Sequence, residues 1–229
     1  MRILLTRPEA DAQRSARRLQ ALGHETLVCP LIEITPTRIL LPAGNFTALL
    51  ATSAHAFDAL HGDVARLHAL PLHVVGARTA EAARKAGFTQ IQTIAADAMA
   101  LAQNIETLKG PPRFFLYLAG RERRQDLEKT LAQRGHSIAP CIVYDAHAAT
   151  TFPDAAACAL REKAIDAVLH FSPRSAALYV ELAQQSGLLQ EALTPLQIAI
   201  SRRAADPLAS AGRLAIAATP DLDAMVACL

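Results

Sequence analysis

The sequence predicts an α/β protein of two similar lobes, each a parallel sheet flanked by helices in the flavodoxin-like or Rossmann-like manner, joined by a two-stranded linker. Three observations predict it. Short runs of Val, Ile, Leu and Phe alternate with helical stretches of a dozen or so residues. The whole pattern occurs twice. Two extended segments, residues 29–37 and 141–149, stand where one copy hands over to the other.

Taken in order, Ile3 to Leu5 form a β-type run, and Thr6-Arg7-Pro8-Glu9 leads into a helix through Ala10 to Leu22 that Gly23 ends. The pattern returns in residues 113–146, where Arg113 to Leu118 is the strand and Gly135-His136 closes the helix as Gly23-His24 does. The offset is 135 − 23 = 112 for the glycines and 141 − 29 = 112 for Cys141 and Cys29, so one register holds at two separated points. A second segment, 46-FTALLATSAHAFDAL-60, aligns with 165-IDAVLHFSPRSAALY-179 and sets Ser53 against Ser172, each at a strand end that opens a helix. A third, 71-PLHVVGARTAEAARKAGF-88, aligns with 195-PLQIAISRRAADPLASAGR-213, matching Gly76 to Ser201, Thr79 to Ala204 and Gly87 to Gly212.

Between the copies, Pro30 and Pro36 discourage helix while Ile32, Ile34, Val143 and Tyr144 favour strand. These segments are expected to carry the chain from one lobe to the other and back, as linker strands at about 31–37 and 141–148. The first domain is then discontinuous, residues 1–34 plus 148–229, and the second spans 37–142. A single cut near Pro111-Pro112 is the alternative that the sequence leaves open.

Composition narrows the function. The 229 residues are 52% hydrophobic, enough apolar surface to offset chain entropy, and 23 Lys and Arg against 21 Asp and Glu leave a formal charge of only +2. A broad basic face for nucleic acid is excluded, so any anion must be gripped by local features. No apolar run approaches the roughly 20 residues that span a bilayer, and residues 1–18 lack a secretory h-region, so a cytoplasmic protein with no membrane partner is expected. Cys29, Cys141, Cys158 and Cys228 have no C-x-x-C spacing and read as reduced thiols. Walker, dinucleotide, G-x-S-x-G and H-E-x-x-H motifs are missing, and the eight histidines show no ligand spacing. His147 and His170 near the connectors read as satisfied, partly buried imidazoles.

Open α/β sheets bind ligands beyond the carboxyl ends of their strands, where helix N-termini present free N–H groups to anions. In this chain those turns carry Thr6-Arg7-Pro8, Thr52-Ser53-Ala54, Gly76-Ala77-Arg78-Thr79, Gly120-Arg121-Glu122-Arg123-Arg124, Ser172-Pro173-Arg174-Ser175 and Ser201-Arg202-Arg203. As a set, they suit a ligand with several carboxylates shared by the two lobes. Singly, Thr52, Ser53 and Ser172 read more simply as helix caps, and the arginines as solvated. Tyr144 differs, because a phenol on the connector can face a cleft and give or take a proton; the plain alternative is a packed ring with a hydrogen-bonded hydroxyl.

Residues 3–25, PLIEI at 30–34, TSAHA at 52–56, VGARTAEAARKAGF at 75–88, GRERRQDL at 120–127, VYDA at 143–146 and FSPRSA at 171–176 together resemble the uroporphyrinogen-III synthase family. The resemblance runs nearly end to end. It implies two α/β lobes on a two-stranded linker, and a cofactor-free cytosolic monomer of tetrapyrrole synthesis that acts on hydroxymethylbilane. That linear tetrapyrrole, with eight carboxylates, would lose water and close with its D ring inverted through a spiro-pyrrolenine intermediate. The resemblance is compatible with a transient contact with the upstream hydroxymethylbilane synthase. It implies Tyr144 as the general acid for hydroxyl departure. It also implies carboxylate binding at Thr6, Arg7, Ser53, Gly76, Thr79, Ser172 and Arg174; Thr52, Arg121 and Ser201 are added from the turns. One departure is Ser201-Arg202-Arg203-Ala204-Ala205, where the family usually has Gly-x-x-Thr-Ala. The rival function is a two-lobed non-catalytic binder of an anionic small metabolite, which the duplicated architecture alone fits equally well.

Overall fold

The computed structural model describes residues 1–229 except 63, 109 and 124. Strand β1 (Arg2–Leu5) leads into helix α1 (Glu9–Ala21), followed by β2 (Glu25–Val28), β3 (Ile32–Pro36), β4 (Ala48–Ala51) and the short α2 (His55–Asp58). Then come β5 (Leu72–Val75), α3 (Ala77–Lys85), β6 (Ile91–Ala95), α4 (Ala98–Thr107), β7 (Phe114–Gly120), α5 (Asp126–Gln133) and the long β8 (Ser137–Ala148). The remainder is α6 (Asp154–Arg161), β9 (Ala167–His170), α7 (Pro173–Gln185), α8 (Leu189–Leu193), β10 (Leu196–Ala199), α9 (Arg202–Ala205), β11 (Leu214–Ile216) and α10 (Leu222–Val226).

The chain divides into two units, Met1–Glu33 with His147–Leu229, and Ile34–Ala146. The first holds a five-stranded parallel sheet ordered β11-β10-β9-β1-β2. In the second sheet the order is β3-β8-β7-β4-β5-β6, parallel from β8 to β6. Without β3, the orders are the same five-strand pattern with β4, β5, β6, β7 and β8 in the places of β9, β10, β11, β1 and β2. The register repeats as well: Arg2 faces Glu25 as Phe114 faces Ser137, both offset by 112, and Ile3 faces Ala167 as Phe115 faces Ala48. The duplication therefore extends to the pairing of individual residues.

The copies differ in the lengths of their elements. In the first, Cys29-Pro30 interrupts the strand and separates β2 from β3; in the second, Cys141-Ile142-Val143 carries no such break, so β8 runs on for 12 residues. The connector expected to begin near 141 is thus the second half of a continuous strand. Thr37 N–H donates to the Val143 carbonyl and Ala149 N–H to that of Leu31, so β3 lies antiparallel to β8. Helix α2 is one turn where its counterpart α7 has 13 residues. Helix α9 has four residues against nine in α3, because Pro207 cannot continue it.

Each sheet is buried on both faces by its helices. Leu4, Val168, Tyr179 and Leu182 form one layer of the first unit; Ile3, Leu5, Leu19 and Ile198 form the other. A fully buried leucine such as Leu19 contributes roughly 1.5–3 kcal/mol. Helix-to-sheet approach is close because the inward positions are small: Ala12 and Ala16 on α1, Ala80 and Ala83 on α3. The fully buried Tyr179 donates from its hydroxyl to the Ala192 carbonyl at 2.9 Å, tying α7 to α8. Tyr179→Phe should lower stability by about 1 kcal/mol through loss of that hydrogen bond, the carbonyl keeping its second donor from Gln197, read as a drop in urea midpoint at unchanged slope.

Candidate active site

In the second unit, β4, β5 and β7 end at the same edge of the sheet, while their neighbour β8 runs on past them to Ala148, and Thr52, Ser53, Gly76, Thr79, Arg121 and Tyr144 lie along that edge. Thr52 and Ser53 follow β4, Gly76 and Thr79 follow β5, Gly120 and Arg121 end and follow β7, and Tyr144 lies on β8 opposite Gly120. A break in register sets Gly120 opposite Tyr144, because Ala119 pairs with Ile142 and the next pair skips Val143. The half-buried Tyr144 ring rests on Gly120, with His55 meeting it edge-on at 5.9 Å between ring centroids. Arg121 N–H donates to the Tyr144 carbonyl at 3.1 Å, fixing the backbone from the other side.

Beside it, the hydroxyls of Thr52 and Tyr117 are 2.7 Å apart. Tyr117, on the central strand β7 and 2% exposed, was not among the sequence candidates. Burial pushes its phenol above the usual range, which keeps it a neutral donor. Its counterpart by the 112-residue offset is Leu5, and that of Thr52, by the 119-residue offset that aligns 46–60 with 165–179, is Phe171, so the polar pair belongs to the second copy alone. That contrast between copies was the one sequence signal for Tyr117.

Several candidates turn out to be engaged within the protein. Thr52 is held by Tyr117 rather than capping α2, and Ser53 accepts from His55 N–H at 3.3 Å. Gly76, at φ +83°, precedes α3, whose first turn has no side-chain cap, and Thr79 is buried in that turn. Arg121 forks onto Asp145 with Nε–Oδ1 at 2.7 Å, and Arg123 Nε lies 2.6 Å from Glu128 Oε1. Arg121 and Arg123 of the arginine-rich turn are therefore paired with carboxylates from β8 and α5; Arg124 lies outside the described residues.

The first unit gathers its candidates at the equivalent edge, after β1, β9 and β10, but their chemistry faces inward. Thr6 is fully buried and its hydroxyl donates to the Leu169 carbonyl, which leaves the adjoining amides rather than the side chain for a carboxylate there. Arg7 stacks on the Phe171 ring at 4.0 Å and reaches Ser15 at 3.0 Å and Asp11 at 3.3 Å. Asp11, buried, also pairs with Arg14. Ser172 and Ser201 are the N-caps of α7 and α9, accepting from Ser175 and Ala204 N–H groups, as the simpler reading has it for Ser172. Arg174, the second residue of α7, is half-buried. Asp11→Ala should cost about 1–3 kcal/mol of stability by stranding Arg7 and Arg14, read as a lower thermal midpoint.

His170 is not near the surface at all. It is fully buried; the Gln197 amide donates to the Ala192 and Pro195 carbonyls, so its oxygen takes the His170 Nε2 proton at 2.9 Å. Burial pulls this imidazole down to about 4, and burial aided by Arg113 does the same to His73, which bonds Thr93. Both are neutral structural groups. Among the described residues, no group of three or more His, Cys, Asp or Glu is placed to hold a metal ion, and no helix is long and apolar enough to cross a membrane. A cavity of about 500 Å³ in the first unit is lined by Lys163, Asp166, Thr194 and Arg213 among others; it lies at the amino ends of the strands, away from these turns.

Residues 13–227 match the family model described as HEM4, uroporphyrinogen-III synthase HemD. The uroporphyrinogen-III synthetase structure from Helicobacter pylori 26695 aligns with a TM-score of 0.66 at 20% identity, covering 99% of this chain and 97% of that one. A mutant uroporphyrinogen III synthase from the extremely thermophilic bacterium Thermus thermophilus aligns with a TM-score of 0.61 at 20% identity, covering 99% and 96%. No curated protein sequence matches the chain.

Proposed function

The chain belongs to the uroporphyrinogen-III synthase family of tetrapyrrole biosynthesis, and from that premise we propose that Tyr144 is the general acid of a ring closure on hydroxymethylbilane. The observation that carries this reading is that Thr52, Ser53, Gly76 and Arg121 follow the ends of three neighbouring strands beside Tyr144 on the continuing β8, with the phenol seated against Gly120. A phenol can donate, and general acids of this kind contribute about 10²- to 10⁴-fold. The proton goes to the departing hydroxyl, which leaves as water while the pyrrole lone pair forms the azafulvenium. Ring D then attacks through its substituted carbon, the spiro-pyrrolenine rearranges to the type III macrocycle, and the proton lost as the pyrroles regain aromaticity returns to the Tyr144 phenolate. Water is the only small product, the balance of a hydro-lyase.

Positioning supplies the rest. The substrate's carboxylates are taken by strand-end turns, through the uncapped first turn of α3 after Gly76, the Arg174 guanidinium in the first turn of α7 and neighbouring amides. Arg121 serves by exchanging or sharing its Asp145 partner, and Thr52 by the hydroxyl that Tyr117 orients. Holding the flexible chain this way selects which carbon of ring D reaches the electrophile. No cofactor is assigned a step, and we place the enzyme in the cytoplasm as a monomer that receives its substrate from hydroxymethylbilane synthase. Incubation with freshly made hydroxymethylbilane should yield mainly the type III isomer by chromatography. Product confined to the type I isomer, which forms spontaneously, would defeat the reading.

A further inference from the structure

We propose that Gly120 is a positioning residue for Tyr144: the bulge and the missing side chain at this point form a seat that sets where the phenol points. The inference rests on the general-acid reading of Tyr144 and deepens it. A Cβ built on Gly120 would lie 2.6 Å from Tyr144 Cζ, 2.7 Å from Cε2 and 2.9 Å from the hydroxyl oxygen, distances that real side chains do not tolerate. All three atoms belong to the hydroxyl end of the ring. Gly120 is not one of the glycines with positive φ, so its backbone conformation is open to any residue. Close approach of the phenol is what the position requires of glycine.

The seat is specific to the second copy. Subtracting 112 takes Gly120 to Pro8 and Tyr144 to Ile32, and the β1–β2 pairing stops at Leu5, before the position equivalent to the β7–β8 shift. Bulges of this kind re-aim a side chain, and here the skipped Val143 turns Tyr144 toward the glycine. The remaining contacts complete the clamp. His55 bounds the ring by its edge, Arg121 N–H holds the Tyr144 carbonyl, and the Arg121–Asp145 fork holds the next residue of the strand. With bulge, edge and backbone fixed, the remaining freedom of the ring is to lift away from Gly120, and a methyl group there forces that movement.

The test is a double-mutant cycle. Gly120→Ala should lower kcat about 10- to 100-fold, the cost of displacing a reacting group by about 1 Å, while KM changes less than about threefold. In a Tyr144→Phe background, where no proton can be given, the same Gly120→Ala change should alter kcat by less than about twofold. An equal penalty in both backgrounds would mean a merely structural glycine and overturn the proposal. If Gly120→Ala does not fold, pairing it with Tyr144→Ala removes the clash and should restore a wild-type far-UV spectrum; continued misfolding overturns the seat. Wild-type turnover in Tyr144→Phe alone would defeat the general-acid reading. An impaired Tyr144→Phe beside a fully active Gly120→Ala would defeat the seat while sparing that reading.

Discussion

Tyr144→Phe is expected to lower kcat about 100-fold while leaving substrate affinity within about threefold, because the change removes one proton donor and keeps the ring that packs on Gly120. The ring also contacts the hydrophobic core of its unit, so phenylalanine should leave the thermal midpoint close to wild type. Loss of turnover without loss of fold or binding is the signature of an interaction made in the transition state. Product analysis adds a second reading from the same variant. Where enzymatic closure is slow, spontaneous closure competes, so the type I fraction should rise. Turnover and isomer ratio both at wild-type values would remove Tyr144 from the mechanism.

Acid should unfold the protein through two imidazoles that take no part in catalysis. His170 and His73 are 0% and 1% exposed and are pulled by burial from the ordinary 6.5 to about 4. As pH falls below 6.5 the unfolded chain binds protons at both sites, while the folded chain refuses them until about 4. The stability they confer is therefore complete above 6.5 and is lost progressively from there down to about 4. Between pH 7 and 5 the two together should cost roughly 4 kcal/mol, a large share of a typical domain's stability. The measurement is the urea midpoint at pH 7 and at pH 5. His170→Gln, which cannot take up the proton, should flatten that dependence by about half whatever its own effect at pH 7, and a wild-type midpoint that does not move would contradict the assignment.

Much of the architecture was legible because duplication doubles every signal. Gly23 and Gly135 ended their helices at one offset, and the paired strands inherit that offset residue by residue. What remained hidden was local. The length of β8 depends on the lack of a break after Cys141, which a reading of both connectors by analogy smoothed over. Hydroxyls and arginines at strand ends were correctly located as residues, yet their side chains are partly consumed in place: Thr6 on Leu169, Arg7 on Asp11 and Phe171, Arg121 on Asp145. Sequence position says which turn a residue occupies, whereas its partner depends on which neighbouring strand ends at the same height. Tyr117 escaped for the opposite reason, being a buried strand residue whose hydroxyl meets Thr52 only through sheet pairing.

A further division of labour follows from the two copies. The first unit puts apolar or self-capped groups where the second puts polar ones: Leu5 for Tyr117, Phe171 for Thr52 and Ile32 for Tyr144. Proton chemistry in this account therefore belongs to residues 34–146, with the other unit contributing substrate contacts.

The most direct measurement is a structure of the protein with uroporphyrinogen III bound. The account requires the Tyr144 hydroxyl within roughly 2.6–3.2 Å, directly or through one water, of the macrocycle where ring D was joined. It also requires product carboxylates on the turns after Thr52, Gly76 and Ser172. A macrocycle seated instead in the cavity beside Lys163 and Arg213, with Tyr144 touching none of it, would contradict the account outright.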